Sequence, residues 1–396
     1  MTGQQQVRRY PSQQPRLDLD PMFAQLRHSE PVTRMRFPTG QEAWLVTGYQ
    51  HARRVLSDPI FSRAEATSSV IGPPEANLTA MDPPEHTRIR RLVVGPFTRR
   101  RIERWRPRTQ QITDELLEAM IDGGAPADVV EGLAFPLPVT VICELLGVPP
   151  GDRQQFGAWA DAFLATTAFT PQQITGARQA LADYLAGLIA QRRQHPRDDL
   201  LSTLIRARDV DGALSETELV NLGVGLLVAG YETTANQITN LTFTLLTHPE
   251  QLQRLRHHPD QLPSAIEELL RFVPLGADAG MPRVATQDVQ LGGVLIRAGD
   301  TVYVARPAAN RDEGVFPHGE TLDLSRDPQV PHLAFGYGIH LCLGAHLARM
   351  ELQVALGTLL ARLPGLRLAI PADRLRWKTG LLVRGLTELP ICWEAS

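Results

Sequence analysis

The pattern of apolar and polar positions changes character along the chain. Near the start, Pro31–Met35 and Ala43–Thr47 alternate and are rich in β-branched residues, which predicts two short strands joined by the turn Pro38–Gly40. Further on the apolar spacing becomes helical, over Pro107–Ile121, Pro138–Leu146, Ala177–Arg193 and Pro263–Phe272. The clearest helix follows Ser215, which forms a Ser-x-x-Glu capping box with Glu218, and it ends at His248 before Pro249. Between Leu219 and Thr247 its one charged residue is Glu232. A helix apolar on most faces belongs in the middle of a molecule, and at 1.5 Å per residue this one would be roughly 50 Å long. A lone carboxylate there is costly to bury and needs a reason. Val289–Ile296, Thr301–Val304 and Leu381–Val383 read as short strands, the first two separated by Gly299. A last long helix starts near Leu343 and stops at Leu363, before Pro364–Gly365. The pattern predicts a mainly α protein with small β-sheets at one side.

Composition narrows the class. Length alone allows one large domain or two ordinary ones, and no proline-rich linker divides the chain. Lys plus Arg number 40 against 43 Asp plus Glu, so no basic excess points to nucleic acid, and no basic tail points to a membrane surface. The N-terminus has no apolar core, and residues 1–15 read as flexible. The run Leu219–Tyr231 is shorter than the roughly 20 residues a bilayer requires. The expectation is a soluble, cytoplasmic, monomeric protein with no nucleic-acid or membrane partner. Arg99, Arg100, Arg101, Arg104, Arg106 and Arg108 form a basic cluster, which fits a solvated helix face or a docking site for an acidic protein. The three cysteines lie far apart, as in a reducing compartment. Cys143 and Cys392 sit in apolar stretches and read as small core residues.

Cys342 differs. It stands in Phe335-Gly-Tyr-Gly-Ile-His-Leu-Cys-Leu-Gly-Ala-His-Leu-Ala-Arg349, crowded by Gly336, Gly338 and Gly344. Glycines let backbone approach a flat ligand closely. The positive end of the helix that follows favours a thiolate, and an anionic sulfur suits a soft, redox-active metal. No Cys or His partners recur at zinc spacing. On the residues alone, a structural cysteine in a glycine-rich turn fits equally well.

The same run resembles the haem-binding signature of the cytochrome P-450 superfamily, and the resemblance, closest to soluble actinomycete-type members, extends over the whole chain. It implies one domain, 1–396, with the P-450 fold. Haem b would lie between the long central helix and the helix of the cysteine loop. Cys342 would be the proximal thiolate, favouring O–O cleavage, with Phe335 beside the sulfur and Gly336, His340 and Gly344 around the cofactor. Ala229-Gly-Tyr-Glu-Thr233 resembles the family's oxygen-activation motif. There Ala229 and Gly230 would border the haem, Gly230 leaving room for dioxygen. Thr233 would hydrogen-bond dioxygen and Glu232 relay protons. A threonine bonding back along its own helix is the alternative. Asp82-Pro-Pro-Glu-His-Thr-Arg-Ile-Arg90 resembles the segment in which His86 and Arg90 clasp one propionate, and Arg283 matches the arginine for the other. Glu268-Leu-Leu-Arg271 matches the family's structural ion pair, which at i, i+3 could also be an exposed pair of little worth. The chain departs from the family around Glu320, where it reads Pro-His-Gly-Glu-Thr-Leu-Asp323.

Resemblance also places the distal pocket, at Val70, Ile71, Leu78, Leu226, Ala277, Asp278, Ala279 and Leu382. These are mostly small or aliphatic, and they either line a roomy cavity or pack against each other. Asp278 could meet a substrate amine or face solvent. The implied function is monooxygenation of a bulky, largely apolar secondary metabolite of macrolide or polyketide type, by hydroxylation or epoxidation. Electrons would come from ferredoxin and ferredoxin reductase docked on the cysteine side, with Arg349 and the arginine cluster contributing. Oxidative C–C or C–N coupling of aromatic or cyclic-dipeptide substrates is the alternative reaction. A non-catalytic haem protein is the alternative class.

Overall fold

The computed structural model describes residues 7–11, 16–38, 40–68, 77–153, 159, 162–276, 280–327 and 329–394. Helices of eight or more residues among them are α1 Met22–Ser29, α2 Tyr49–Ser57, α3 Glu85–Val93, α4 Arg106–Gly123, α5 Pro136–Leu146, α6 Pro171–Gln194, α7 Leu200–Asp209, α8 Glu216–Thr247, α9 Pro249–His257, α10 Leu262–Phe272 and α11 Ala345–Arg362. The strands are β1 Arg8–Arg9, β2 Val32–Arg36, β3 Glu42–Val46, β4 Phe61–Ser62, β5 Ala127–Asp128, β6 Arg283–Ala285, β7 Val289–Leu291, β8 Val294–Ile296, β9 Thr301–Val304, β10 Arg367–Leu368 and β11 Pro390–Cys392.

The central helix α8 starts as its sequence requires. Ser215 accepts from the Glu218 N–H while the Glu218 carboxylate reaches back to the Ser215 N–H. Its apolar side chains pack against α5, α6 and α11, so α8 forms the axis of the main core. α6 begins six residues before the predicted Ala177, because Thr170 and Gln173 build a second capping box there.

β2 and β3 pair antiparallel, and β9 joins β3 in parallel, within a six-stranded sheet ordered β1-β2-β3-β9-β6-β4. The terminus expected to be flexible is built into it at residues 8–10. Arg8–Arg9 pair with Met35–Arg36, and Tyr10 stacks on Phe37 at 4.7 Å. Val289–Ile296 is a hairpin rather than one strand. It reverses at Gly292 and Gly293, whose φ values of 58° and 82° suit glycine. Leu381–Val383 makes isolated bridges, Leu381 to Ala165 and Val383 to Gly276.

Candidate active site

The cysteine loop closes on itself through the Cys342 N–H, which donates to the Phe335 carbonyl at 2.9 Å. Gly336 and Gly338 have φ values of 78° and 71°. A Cβ on Gly338 would also lie 2.7 Å from the Leu56 carbonyl at the end of α2, so the turn and the close approach both require glycine. Arg349 of α11 braces the loop: its guanidinium lies 4.5 Å over the Phe335 ring and forms two bonds to Glu267 of α10, at 2.7 and 2.8 Å. Burial would raise the Glu267 carboxyl, but His332 and Arg349 hold it at about 2.

Cys342 lies deep in the protein and yet exposes surface, the position of a ligand-facing group. Cys143 is buried, and burial pushes its thiol up to about 12. The sequence led to the expectation that the helix end would favour a Cys342 thiolate. Burial instead raises its pKa, against the lowering effect of the Gly344 N–H and of Arg306, Arg90 and Arg349. Coordination to a metal would deprotonate the thiol outright. Among the described residues no cluster of three His, Cys, Asp or Glu could hold a metal, so the sulfur suits an ion whose other ligands come from a cofactor.

The surroundings fit a dianionic cofactor. His86 and His340 face each other with ring centroids 4.5 Å apart, and the Nε2 of each is buried without a partner. Burial, with the positive charge of Arg90, lowers the His86 pKa; burial, His86, Arg283 and Arg63 bring His340 to about 3. Arg283 is buried, its guanidinium makes no hydrogen bond or ion pair among the described residues, and it is pushed down to about 9 by burial and by the charges of Arg63 and Arg306. Arg306, also lowered by burial, donates to the Ala334 carbonyl at 3.2 Å. Arg90 donates to the Leu341 carbonyl at 2.7 Å. Buried cations crowded in this way, with Asp82 the carboxylate that acts on them, are costly, and two propionates would offset them through charge-assisted bonds.

Ala229 is exposed and Thr233 half-buried, one turn apart on α8. The Thr233 hydroxyl donates to the Ala229 carbonyl at 2.9 Å, so the back-bonded alternative is present. Glu232 is 1 % exposed, and its Oε1 accepts from Asn236 Nδ2 at 2.7 Å and from Lys378 Nζ at 2.9 Å. Gly230 was expected to open space for dioxygen. A Cβ there would meet Ile142 of α5 at 2.7 Å, so the space it leaves is filled by protein.

A family model described as Cytochrome P450 matches residues 161–364. Nocardicin C N-oxygenase of Nocardia uniformis subsp. tsuyamanensis is 48% identical over 395 residues, covering 98% of this chain and 99% of that protein. Mycinamicin IV hydroxylase/epoxidase of Micromonospora griseorubida is 49% identical, over 95% of this chain and 96% of that one. The chain belongs to the cytochrome P450 family. Among solved structures, the LnmA cytochrome P450 hydroxylase of the leinamycin pathway of Streptomyces atroolivaceus S-140 superposes with a TM-score of 0.92 at 48% identity, covering 98% of this chain and all of that one. This P450 is therefore a haem-thiolate oxidoreductase that draws on redox partners and acts on a small molecule.

Backbone bonds join the segment of Leu382, a residue expected at the pocket, to two other parts of this P450. The Gly380 carbonyl accepts from the N–H groups of Thr166, Thr167 and Ala168, at 2.8 to 3.2 Å. Leu382 N–H donates to Leu164 at 2.9 Å, and Arg384 N–H to Leu275 at 2.7 Å. Leu382 is 43% exposed, while Leu78 and Leu226 are half-buried. Val70, Ile71, Ala277, Asp278 and Ala279 lie outside the described residues.

Glu268 and Arg271 form a bidentate pair at 2.7 and 2.8 Å, each side chain 2% exposed. Arg326 is a third member, 3.1 Å from Glu268, and Arg271 also donates to the carbonyls of Asn310, Gly319 and Thr321. The divergent segment belongs to this network: Asp323 N–H donates to Glu268 at 3.0 Å, and Glu320 pairs with Arg27 and Arg311.

The basic cluster divides. Arg106 pairs with Glu103 and Arg108 with Glu144, while Arg99, Arg100, Arg101 and Arg104 are exposed with no paired carboxylate among the described residues. Arg349, expected to help dock a partner, is engaged with Glu267 and Phe335 instead. Sequence reasoning missed Arg63, Arg306, Asn236 and Lys378. For Lys378 a signal existed: it is the single lysine among the 40 Lys plus Arg.

Proposed function

We propose that this P450 inserts one oxygen atom from O2 into a bulky, largely apolar natural product of macrolide or polyketide type, by hydroxylation or epoxidation. The supporting observation is the buried carboxylate Glu232 within the central helix α8, held by Asn236 and Lys378. Relatives nearly half identical are named as a mycinamicin hydroxylase/epoxidase and a nocardicin N-oxygenase. We further assign it to the cytoplasm as a one-domain monomer, reduced by ferredoxin and its reductase. The docking face is the unpaired stretch Arg99–Arg101 with Arg104, where an acidic partner gains long-range attraction.

When bound, haem b supplies the metal centre at which O2 is reduced and one oxygen atom is transferred, the other leaving as water. Cys342 would ligate it, its sulfur accepting from the Gly344 N–H. His86, His340 and Arg283 would hold the two propionates, and Arg90 would fix the loop at Leu341. Glu232 stands one residue from Thr233, whose hydroxyl donates to the Ala229 carbonyl and whose oxygen can accept. Glu232 would pass protons toward Thr233 as the reaction needs them.

The test begins with reduced enzyme under CO, which should show the long-wavelength Soret band of a thiolate-ligated haem. A spectral titration against macrolides, polyketides and cyclic dipeptides follows, then product mass. A gain of one oxygen supports the proposal. A dimer mass would instead establish oxidative coupling, the reading favoured by a solved P450 with biaryl coupling reactivity, at TM-score 0.89 and 42% identity over 95% of this chain and 97% of that one. A haem protein that consumes no reductant with any of them would be a binding module.

A further inference from the structure

We propose that Lys378 is the proton-entry residue of this P450, a positioning residue that acts through Glu232. The inference rests on the monooxygenase reading and goes beyond it by naming where solvent protons enter. Glu232 is 1% exposed, whereas the Lys378 side chain is 21% exposed and its Nζ lies 2.9 Å from Glu232 Oε1. The ammonium therefore joins solvent to a buried carboxylate across one hydrogen bond.

The choice of cation matters. Of the 40 Lys plus Arg in the chain, 39 are arginine, and the one lysine stands here. The other buried carboxylates that form ion pairs, Glu268 and Asp199, are held by arginine. A guanidinium keeps its proton, while a lysine ammonium can release one and take it back. The relay balances without a redox step. The Lys378 N–H bond breaks as an O–H bond forms on Glu232, and the neutral amine takes a proton from water.

The pair is fixed from both sides. Lys378 N–H donates to the Gly385 carbonyl at 2.8 Å, and Trp377 packs edge-on against Phe243 of α8 at 5.3 Å. Asn240 Nδ2 donates to the Arg384 carbonyl at 2.9 Å. Asn236 Nδ2 donates both to Glu232 Oε1 at 2.7 Å and to the Glu232 carbonyl at 2.8 Å. Gly385 admits this contact, since a Cβ there would fall 1.8 Å from Asn236 Oδ1. Glu232, Asn236 and Asn240 thus form one polar stripe at i, i+4 and i+8 along α8, facing the segment that carries Lys378. The two donors on Oε1 leave Glu232 Oε2 without a partner among the described residues.

The experiment compares holoenzyme with Lys378→Arg and Lys378→Met, using a plant-type ferredoxin, its reductase and NADPH without added substrate. The readouts are the rate of NADPH oxidation, the share of electrons recovered as hydrogen peroxide and the solvent deuterium isotope effect. Lys378→Arg keeps the ion pair and loses the mobile proton. It should slow water-forming turnover about tenfold, at or below what a positioned proton donor contributes, and raise the peroxide share and the isotope effect, with the CO band intact. If Lys378→Arg matches the wild type in all three, the lysine serves only as an ionic tether and the proposal falls. Absence of the thiolate CO band from the wild type would overturn the monooxygenase reading instead. Should both variants lose haem, wild-type enzyme grown on lysine labelled at Nζ still decides, because one lysine gives one side-chain signal. Ammonium protons exchanging with solvent faster than turnover support the proposal, and slower exchange overturns it.

Discussion

The cysteine side and the pocket side of this P450 are held together by different means. On the cysteine side charged side chains make the geometry: Glu268 gathers Arg271 and Arg326, and Glu267 gathers Arg349 and His332 beneath Phe335. On the pocket side three segments are joined by main-chain bonds, 164–168 to 380–382 and 275 to 384. Main-chain bonds can be made by almost any residue, whereas a bidentate Arg–carboxylate pair admits one kind of residue at each end. The difference teaches that the surroundings of the cysteine loop are fixed by side-chain identity, while the segments around Leu382 are joined by a backbone that tolerates changes of side chain.

The sharpest test of that division is Cys342→Ala. The cysteine side chain lies outside the apolar core clusters, and its sulfur accepts from the Gly344 N–H. The variant should stay folded by circular dichroism, lose the thiolate CO band entirely and lose all NADPH-driven turnover. A surviving band would remove the cysteine side from the chemistry. Next in size is Glu268→Ala, which leaves Arg271 buried opposite Arg326 with no carboxylate. Breaking a buried pair in this way costs about 3–5 kcal/mol, read as a lower denaturant midpoint with haem release. A change under about 1 kcal/mol, the range of an exposed pair, would erase the contrast between the two sides.

Glu351 is the exception on the cysteine side. It is fully buried in α11 and neither carboxyl oxygen has a partner among the described residues. Burial raises its pKa well above the ordinary 4.5. Between 4.5 and the folded value the native state binds a proton that the unfolded state has released, so stability falls as pH rises through that window. Below 4.5 both states are protonated and the cost vanishes. Glu351→Gln should flatten the dependence of Tm on pH, gaining on the wild type as pH rises above 4.5 and matching it below. Parallel curves would mean that an unseen partner neutralises Glu351, as Arg271 does Glu268.

What the sequence revealed follows the same division. The capping box at Ser215 and Pro249 bounded α8 to within a residue, because caps are local chemistry. The glycines of the cysteine loop were legible because backbone geometry there excludes other residues. The 289–296 hairpin was misread, since an apolar run hides the reversal that Gly292–Gly293 makes. The bridges of Leu381 and Val383, and the approach of Lys378 to Glu232, join residues more than a hundred positions apart. No local period records such a meeting. Gly230 shows the opposite error: the motif was seen, but its neighbour Ile142 comes from another helix.

The smallest expected effect is at Leu382, where the two sides can be separated in one residue. Its side chain is 43% exposed and outside the main core, while its N–H is fixed to the Leu164 carbonyl. Leu382→Ala keeps that bond, so stability should change by no more than about 0.5 kcal/mol, the range of a substitution outside packed core. Substrate affinity should fall about tenfold, because removing aliphatic contact from a hydrophobic pocket is worth roughly 1–3 kcal/mol. Spectral titration with whichever natural product the panel selects reads the affinity, and chemical denaturation reads the stability. A loss in both would mean that the wall is packed as core and that the pocket side, too, depends on side-chain identity. A loss in affinity alone would show a surface held in place by its backbone and tuned by its side chains.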